Sequence, residues 1–139
     1  MHTFLQQLFV GDSSIPGAGK GLFTSVDIGK GQIIIEYTGE INIWDEVRHD
    51  STNMYIYFVN EHHVINAKKF PDAIARYAND AHGITRVNGV HNNSRFINIE
   101  DRIFIKATKF IPAGSEIFVE YGKEYWNTIK KNKELIKEK

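Results

Sequence analysis

Residues Ala75–Gly83 read ARYANDAHG, a short polar turn in a chain otherwise built from apolar runs. Arg76, Asn79, Asp80 and His82 fall within seven positions, after the helix-tolerant PDAIA and before Ile84–Ser94 (ITRVNGVHNNS), which has no hydrophobic period. A loop can carry such a cluster for no reason at all. It becomes informative because two glycine-bearing stretches, IPGAGKGLF (Ile15–Phe23) and EIFVEYG (Glu116–Gly122), could converge on it from opposite ends of the chain.

Outward from that turn, the segments read mostly as short strands. Phe4–Val10 is expected as a first strand, with a turn at Gly11–Ser14. IPGAGKGLF carries glycines at 17, 19 and 21 but lacks the Lys-Ser/Thr ending of a nucleoside-triphosphate loop, and no helix follows as the dinucleotide pattern requires. Its glycines read equally well as a turn or as backbone that a ligand approaches closely. Gln32–Gly39 (QIIIEYTG) is β-branched and stops at a glycine. Ile41–Thr52 is charged and reads as a loop or short helix, and Met54–Val59 (MYIYFV) reads as a strand with Tyr55 and Tyr57 on one face. Glu61-His62-His63 is the expected hairpin tip before Val64–Ala67. Phe96–Ile99 and Arg102–Ala107 should pair across Glu100-Asp101. From Lys123 onward helix formers recur at roughly helical spacing. Many short strands without βαβ alternation make the class mainly β.

A length of 139 residues is one domain by the usual size prior, and 42% hydrophobic residues suffice for one core. Lys+Arg 17 balances Asp+Glu 17, which argues against a protein that works by gripping phosphate backbones, although Lys130–Lys139 is a basic tail. With no cysteine, disulfides and thiolate zinc sites are impossible, and the apolar runs are too short for a bilayer-spanning helix. The amino terminus lacks a signal-peptide pattern. A cytoplasmic protein is the expectation (nuclear, should the source be eukaryotic or a virus or effector acting in a host), with no nucleic-acid or membrane partner. His82 and His91 with Asp80 show no recognised ligand spacing, so no metal is expected.

In order, GAGKGLF, IIIEYTGEI, MYIYFVNEHHVINA, ARYAND and EIFVEYG resemble the SET domain, the fold of protein-lysine methyltransferases. The likeness runs from about Leu8 to Trp126. It implies a mainly β, β-clip fold of several small sheets, a carboxy-terminal pseudoknot in which the last strand threads beneath an earlier loop, and a short carboxy-terminal helix. It makes the chain a single SET domain over 1–139, with a core of about 8–126 and a helical, lysine-rich tail at 127–139. It also implies S-adenosyl-L-methionine as methyl donor and a lysine-containing protein, histone-like or otherwise basic, as acceptor. Carried over by position, Gly19, Lys20 and Gly21 would cradle the donor's methionine part, Asn79 would bond the donor's amino or adenine end through its amide, and Arg76 would support the turn. Tyr121 would be the catalytic tyrosine and Tyr37 a wall of the lysine channel. Asn53 and Met54 would begin the acceptor groove, and Trp126, or Tyr125 beside it, would stack near the adenine. A phenol of ordinary pKa ~10 is mostly protonated at neutral pH, so Tyr121 is assigned orientation and electrostatics rather than proton abstraction.

The chain departs from the family pattern in three places. Asn79 is followed by Asp80 where the family usually has His, which puts Asp80's own donor-binding role in question. Val119 stands two residues before Tyr121, where relatives often carry Phe or Tyr; the smaller side chain would leave room for higher methylation states. The cysteine-rich flanking modules of many relatives cannot form, so the tail or a second subunit in a homodimer would have to close the site. Two other readings follow from these departures. One is a catalytically silent SET-like module that binds a peptide by strand addition. The other is a β-rich interaction protein without a donor site.

Overall fold

The computed structural model describes residues 3–50, 53–83 and 85–121. Among them the strands are β1 (Leu8–Asp12), β2 (Lys20–Thr24), β3 (Ile33–Tyr37), β4 (Glu40–Asn42), β5 (Ile56–Asn60), β6 (His63–Asn66), β7 (Ser94–Ile99), β8 (Arg102–Ala107), β9 (Glu116–Ile117) and β10 (Val119–Glu120). One helical turn, α1 (Trp44–Val47), and two 3-10 turns, Leu5–Gln7 and Ile74–Tyr77, complete the regular structure. The strands form three small sheets, ordered β1-β2-β9, β10-β7-β8-β3 and β4-β6-β5. No helix among the described residues is long and apolar enough to cross a membrane. The mainly β expectation is met.

The β7–β8 hairpin lies where the sequence places it. Glu100 and Asp101 take φ of 52° and 65°, the left-handed pair that a two-residue hairpin turn demands. The Asp101 N–H donates to Asn98 Oδ1 at 2.9 Å, a local bond that offsets part of the cost of that backbone. β8 buries Ile103, Phe104 and Ile105 in succession because it lies between β7 and β3 with both faces covered. Ile34, Ile35, Leu22, Ile28, Ile111 and Ile117 close the core around it.

The first strand differs from expectation. Residues 5–7 form a 3-10 turn, and β1 begins at Leu8 and runs through Gly11 and Asp12, which pair with Gly21 and Lys20. Gly11 belongs to the strand because a Cβ there would sit 3.2 Å from the Phe23 ring, which stacks on Phe9 with centroids 5.4 Å apart. The missing side chain makes space for an aromatic pair, not for a turn.

The last strands are threaded. Ile117 pairs with Leu22, Phe118 bridges Asn79 in parallel, and Val119 pairs in parallel with Ser94. The Val119 N–H donates to the Asn79 carbonyl at 2.8 Å, while the Asn93 and Ser94 N–H groups donate to the Phe118 carbonyl. The Asn93 side chain completes the splice, accepting from the Phe118 N–H at 2.9 Å and donating to the Glu116 carbonyl at 3.0 Å. The segment 116–121 therefore passes between the polar turn and β7, as the expected pseudoknot requires. The expected helix and lysine-rich tail lie outside the described residues.

Candidate active site

Threading brings the three polar stretches together around a cleft of about 640 Å³. Its walls are the turn from Ile15 to Lys20, Met54 and Tyr55, the polar turn from Arg76 to Asp80, Thr85, and Tyr121 from the end of the last strand. A carboxylate fixes the first wall: Glu116 accepts from the Ser13 hydroxyl at 2.7 Å and from the Ser14 N–H and hydroxyl at 2.9 Å each. Within that wall Gly17 and Gly19 take φ of 79° and 73°, and a Cβ on either would meet no atom within 4 Å. The glycines are there for backbone shape, and the space above them is open. The second wall is tied to the first by the Asn79 amide, which donates to the Lys20 carbonyl at 2.9 Å.

A second, smaller hole of about 50 Å³ adjoins the cleft, walled by Tyr37, Met54, Ile56, Tyr57, Arg76, Phe96 and Tyr121. Met54, Arg76 and Tyr121 line both spaces. The aromatic walls interlock edge to face: Tyr57 and Phe96 lie 4.9 Å apart between centroids, and Tyr37 and Phe96 5.9 Å apart. Tyr121 stacks on Phe96, and its hydroxyl donates to the Ala78 carbonyl. Burial pushes the Tyr57 phenol above its ordinary pKa, because the phenolate loses its hydration in this apolar setting.

Arg76 stands at the junction. Its Nη1 donates to the Ala67 and Lys68 carbonyls at 3.0 Å each, and its Nη2 donates to the Tyr77 hydroxyl at 2.9 Å. The guanidinium lies 4.2 Å from the Tyr55 ring centre and 4.7 Å from that of Tyr77.

The family model described as SET domain matches residues 19–122. The chain belongs to the SET-domain family. It is 33% identical to the histone-lysine N-methyltransferase EZH2 of Chaetomium thermophilum over 88% of this chain, and 26% identical to the N-lysine methyltransferase KMT5A of Xenopus tropicalis over 78%. The chain spans only 8% and 34% of the length of those two relatives. Among solved structures, it resembles an active polycomb repressive complex 2 in the basal state (TM-score 0.64, 30% identity, 84% of this chain and 15% of that one). It also resembles ctPRC2 in an autoinhibited conformation bound to S-adenosylmethionine (TM-score 0.63, 29% identity, 94% of this chain and 17% of that one). The methyltransferase domain of human PR domain-containing protein 2, at 24% identity and TM-score 0.62, shares the fold.

The expected site residues of this SET domain divide into three groups. Gly19, Lys20, Arg76, Asn79, Asp80, Met54 and Tyr121 line the cleft, and Tyr37 joins Met54, Arg76 and Tyr121 around the hole. Lys20 does so while its exposed ammonium pairs with Asp12 at 2.8 Å, an ion pair that raises the lysine pKa and lowers that of the aspartate.

A second group is held away from both spaces. Gly21 is not on the cleft wall: a Cβ there would lie 2.3 Å from Glu116 Oε2, so this glycine makes room for the carboxylate that holds Ser13 and Ser14. Val119 is 0% exposed, packs in the core and does not line the hole. Asn53 lines neither space and braces the walls instead, donating to Asn66 Oδ1 at 3.0 Å and accepting from the Tyr55 N–H at 2.9 Å. The third group, Trp126 and Tyr125, lies outside the described residues.

Sequence reasoning missed several walls. Tyr55 and Tyr57 read only as one face of a strand, and Phe96 as a hairpin position. The available signal was the pairing of Tyr37 and Tyr57 near strand ends with an aromatic on β7. The near contact of imidazoles, His82 Nε2 to His91 Nδ1 at 3.0 Å, joins the two ends of the loop after the polar turn.

Proposed function

We propose that this SET domain transfers methyl groups from S-adenosylmethionine to the ε-amine of a lysine in a protein substrate. One observation carries the reading: a cleft large enough for a nucleoside-sized ligand and a narrow aromatic hole share Tyr121, Met54 and Arg76. That arrangement suits a bulky donor on one side and a thin amine-bearing chain on the other.

The cleft fits the donor on its own merits. Its volume falls within the roughly 300–1,000 Å³ of small-molecule sites. Its glycine wall presents backbone with open space above Gly17 and Gly19, and Asn79 fixes that wall against the polar turn. The Gly17–Lys20 backbone and Asn79 would hold the methionine end, with Tyr55, Tyr77 and Ile15 offering apolar surface. When bound, S-adenosylmethionine supplies a methyl carbon on a sulfonium, open to in-line displacement by a neutral amine.

The chain's own groups do the rest. Tyr37, Tyr57 and Phe96 exclude water from the lysine, which favours the uncharged amine by desolvation. The Tyr121 hydroxyl spends its proton on the Ala78 carbonyl. Its oxygen can accept from the amine and aim the nitrogen toward the cleft. The amine proton displaced after alkylation leaves to solvent. The acceptor proposed is a basic, histone-like protein, in keeping with the histone-lysine and N-lysine methyltransferases among the relatives.

Calorimetric titration with S-adenosylhomocysteine, followed by methyl transfer to a core-histone mixture read by mass spectrometry, tests this. Donor-site binding with lysine methylation is the expected result. Binding without transfer to any protein mixture would support the silent peptide-binding module instead, and no binding would support an interaction protein without a donor site.

A further inference from the structure

Aromatic walls act on an amine in two opposed ways: they strip its water, which disfavours the ammonium, and they present ring faces that favour it. Ring faces attract cations, and cages of Tyr and Phe are the usual way to hold an ammonium. Tyr37, Tyr57, Phe96 and Tyr121 surround the small hole with four such rings. An ammonium held there has no lone pair with which to attack.

Arg76 is the remaining charged group on the wall of the hole. Its guanidinium does not lose its proton in proteins. Its partners are two backbone carbonyls, one phenol and two ring faces, all neutral. No described carboxylate lies within ion-pair distance of it. Its Nε is buried without a hydrogen-bond partner. Asp80 and Lys20 are the other described charged residues of the adjoining cleft. The Asp80 carboxylate lines the cleft rather than the hole and accepts from the Tyr121 and His82 N–H groups and the Asn92 amide. The Lys20 ammonium is exposed and paired with Asp12. Among the described residues, the titratable groups around the hole are otherwise the phenols of Tyr37, Tyr57 and Tyr121, and those beside Arg76 are Tyr55 and Tyr77.

We infer that Arg76 is a positioning residue whose fixed charge, paired with no described carboxylate, stands at the junction of the two spaces, expels an ammonium from the aromatic hole and admits only the neutral amine. Two unit charges about 6 Å apart at an effective dielectric near 20 repel strongly enough to shift an equilibrium about a hundredfold. That outweighs the gain from one or two partly solvated ring faces. The inference rests on the methyltransferase reading for its purpose, but the electrostatics can be measured without catalysis.

The test uses the full chain and two thin probes, n-butylamine at neutral pH as the ammonium and 1-butanol as its uncharged counterpart, with binding followed by tyrosine ring shifts in NMR. Arg76→Lys and Arg76→Gln both lose the guanidinium fork, and thermal midpoints establish that each folds. Only the Lys variant keeps a charge, so a merely structural role moves both alike. Wild type and Arg76→Lys should favour the alcohol, whereas Arg76→Gln should bind the ammonium at least about tenfold tighter with alcohol affinity unchanged. In the methyl-transfer assay, the limb of the kcat–pH profile should move up by about one unit or more in Arg76→Gln and stay in place in Arg76→Lys. Equal ammonium affinity in wild type and Arg76→Gln would overturn the inference, whether or not the chain methylates. Wild type that rejects the ammonium but transfers no methyl group would overturn the proposed function while leaving the charge filter intact.

Discussion

The backbone N–H of Tyr121 donates to Oδ2 of Asp80 at 2.9 Å, joining positions 41 residues apart. The other carboxylate oxygen accepts from the His82 N–H and the Asn92 amide at 2.8 Å each. Asp80 is only 6% exposed, so its carboxylate oxygens are satisfied by these three donors rather than by bulk water. Where the family motif usually has a histidine, this chain uses both oxygens of a carboxylate to hold its last strand against the polar turn. A neutral imidazole has one acceptor nitrogen and could not serve all three donors.

Replacing Asp80 should therefore cost stability first and position second. Asp80→Ala takes the acceptor from three part-buried hydrogen bonds and is expected to lose about 2 kcal/mol in urea denaturation. Asp80→Asn keeps one acceptor oxygen and should lose roughly half of that. Asp80→His should behave like the alanine variant instead of restoring a family-like site. A histidine variant as stable as wild type would show that Asp80 is not the latch described.

Tyr121→Phe separates orientation from folding. The ring keeps its stack on Phe96, and the hydroxyl bond to the Ala78 carbonyl is lost. A neutral hydrogen bond contributes about 1 kcal/mol to stability, so the thermal midpoint should fall slightly and S-adenosylhomocysteine affinity should change little. Methyl transfer should drop by about a hundredfold or more, the usual loss when one oriented polar group is removed from a transition state. Transfer within a few-fold of wild type would remove Tyr121 from the catalytic role.

How far the sequence was legible depends on what each residue's pattern encodes. The β7–β8 hairpin follows from alternation around Glu100-Asp101, and a local pattern specifies a local structure. The convergence of Gly19, Asn79 and Tyr121 was legible only through the order of motifs, since nothing local to any of them implies threading. Gly21 was misplaced because a missing side chain looks the same in sequence whether it makes room for a ligand or, as here, for Glu116. Val119 was misplaced for a related reason: counting back from Tyr121 gives its position along the strand but not which side chains fill the hole. Phe96 and Tyr57 occupy that place from other strands, through long-range contacts that no spacing rule predicts.

Gly21→Ala tests the reading of that glycine as a seat for Glu116. The new Cβ would fall 2.3 Å from Glu116 Oε2, and the displaced carboxylate would release the Ser13 and Ser14 bonds that shape the glycine wall. A loss of about 2 kcal/mol or more is expected, in the range for overpacking a well-filled site. The double variant Gly21→Ala/Glu116→Ala should lose clearly less than the sum of the two singles, because the clash and the carboxylate disappear together. Additive losses, read from denaturation of all four proteins, would mean that the two residues do not interact.

Tyr57 predicts an alkaline limb. Its phenol is held above the ordinary value by burial, so the folded state retains that proton more tightly than the unfolded chain does. The resulting stability is fully present below the unfolded phenol value of about 10 and is lost as pH rises through the raised folded value. Tyr57→Phe keeps the ring in the wall of the hole but cannot ionise. Its stability should therefore fall less steeply than that of wild type over the alkaline range. In an ultraviolet titration of phenolate absorbance, the variant should lack a late-ionising step present in wild type. Superimposable alkaline limbs and titration curves would mean that the Tyr57 phenol reaches solvent, and the hole would then be too wet to favour a neutral amine by desolvation.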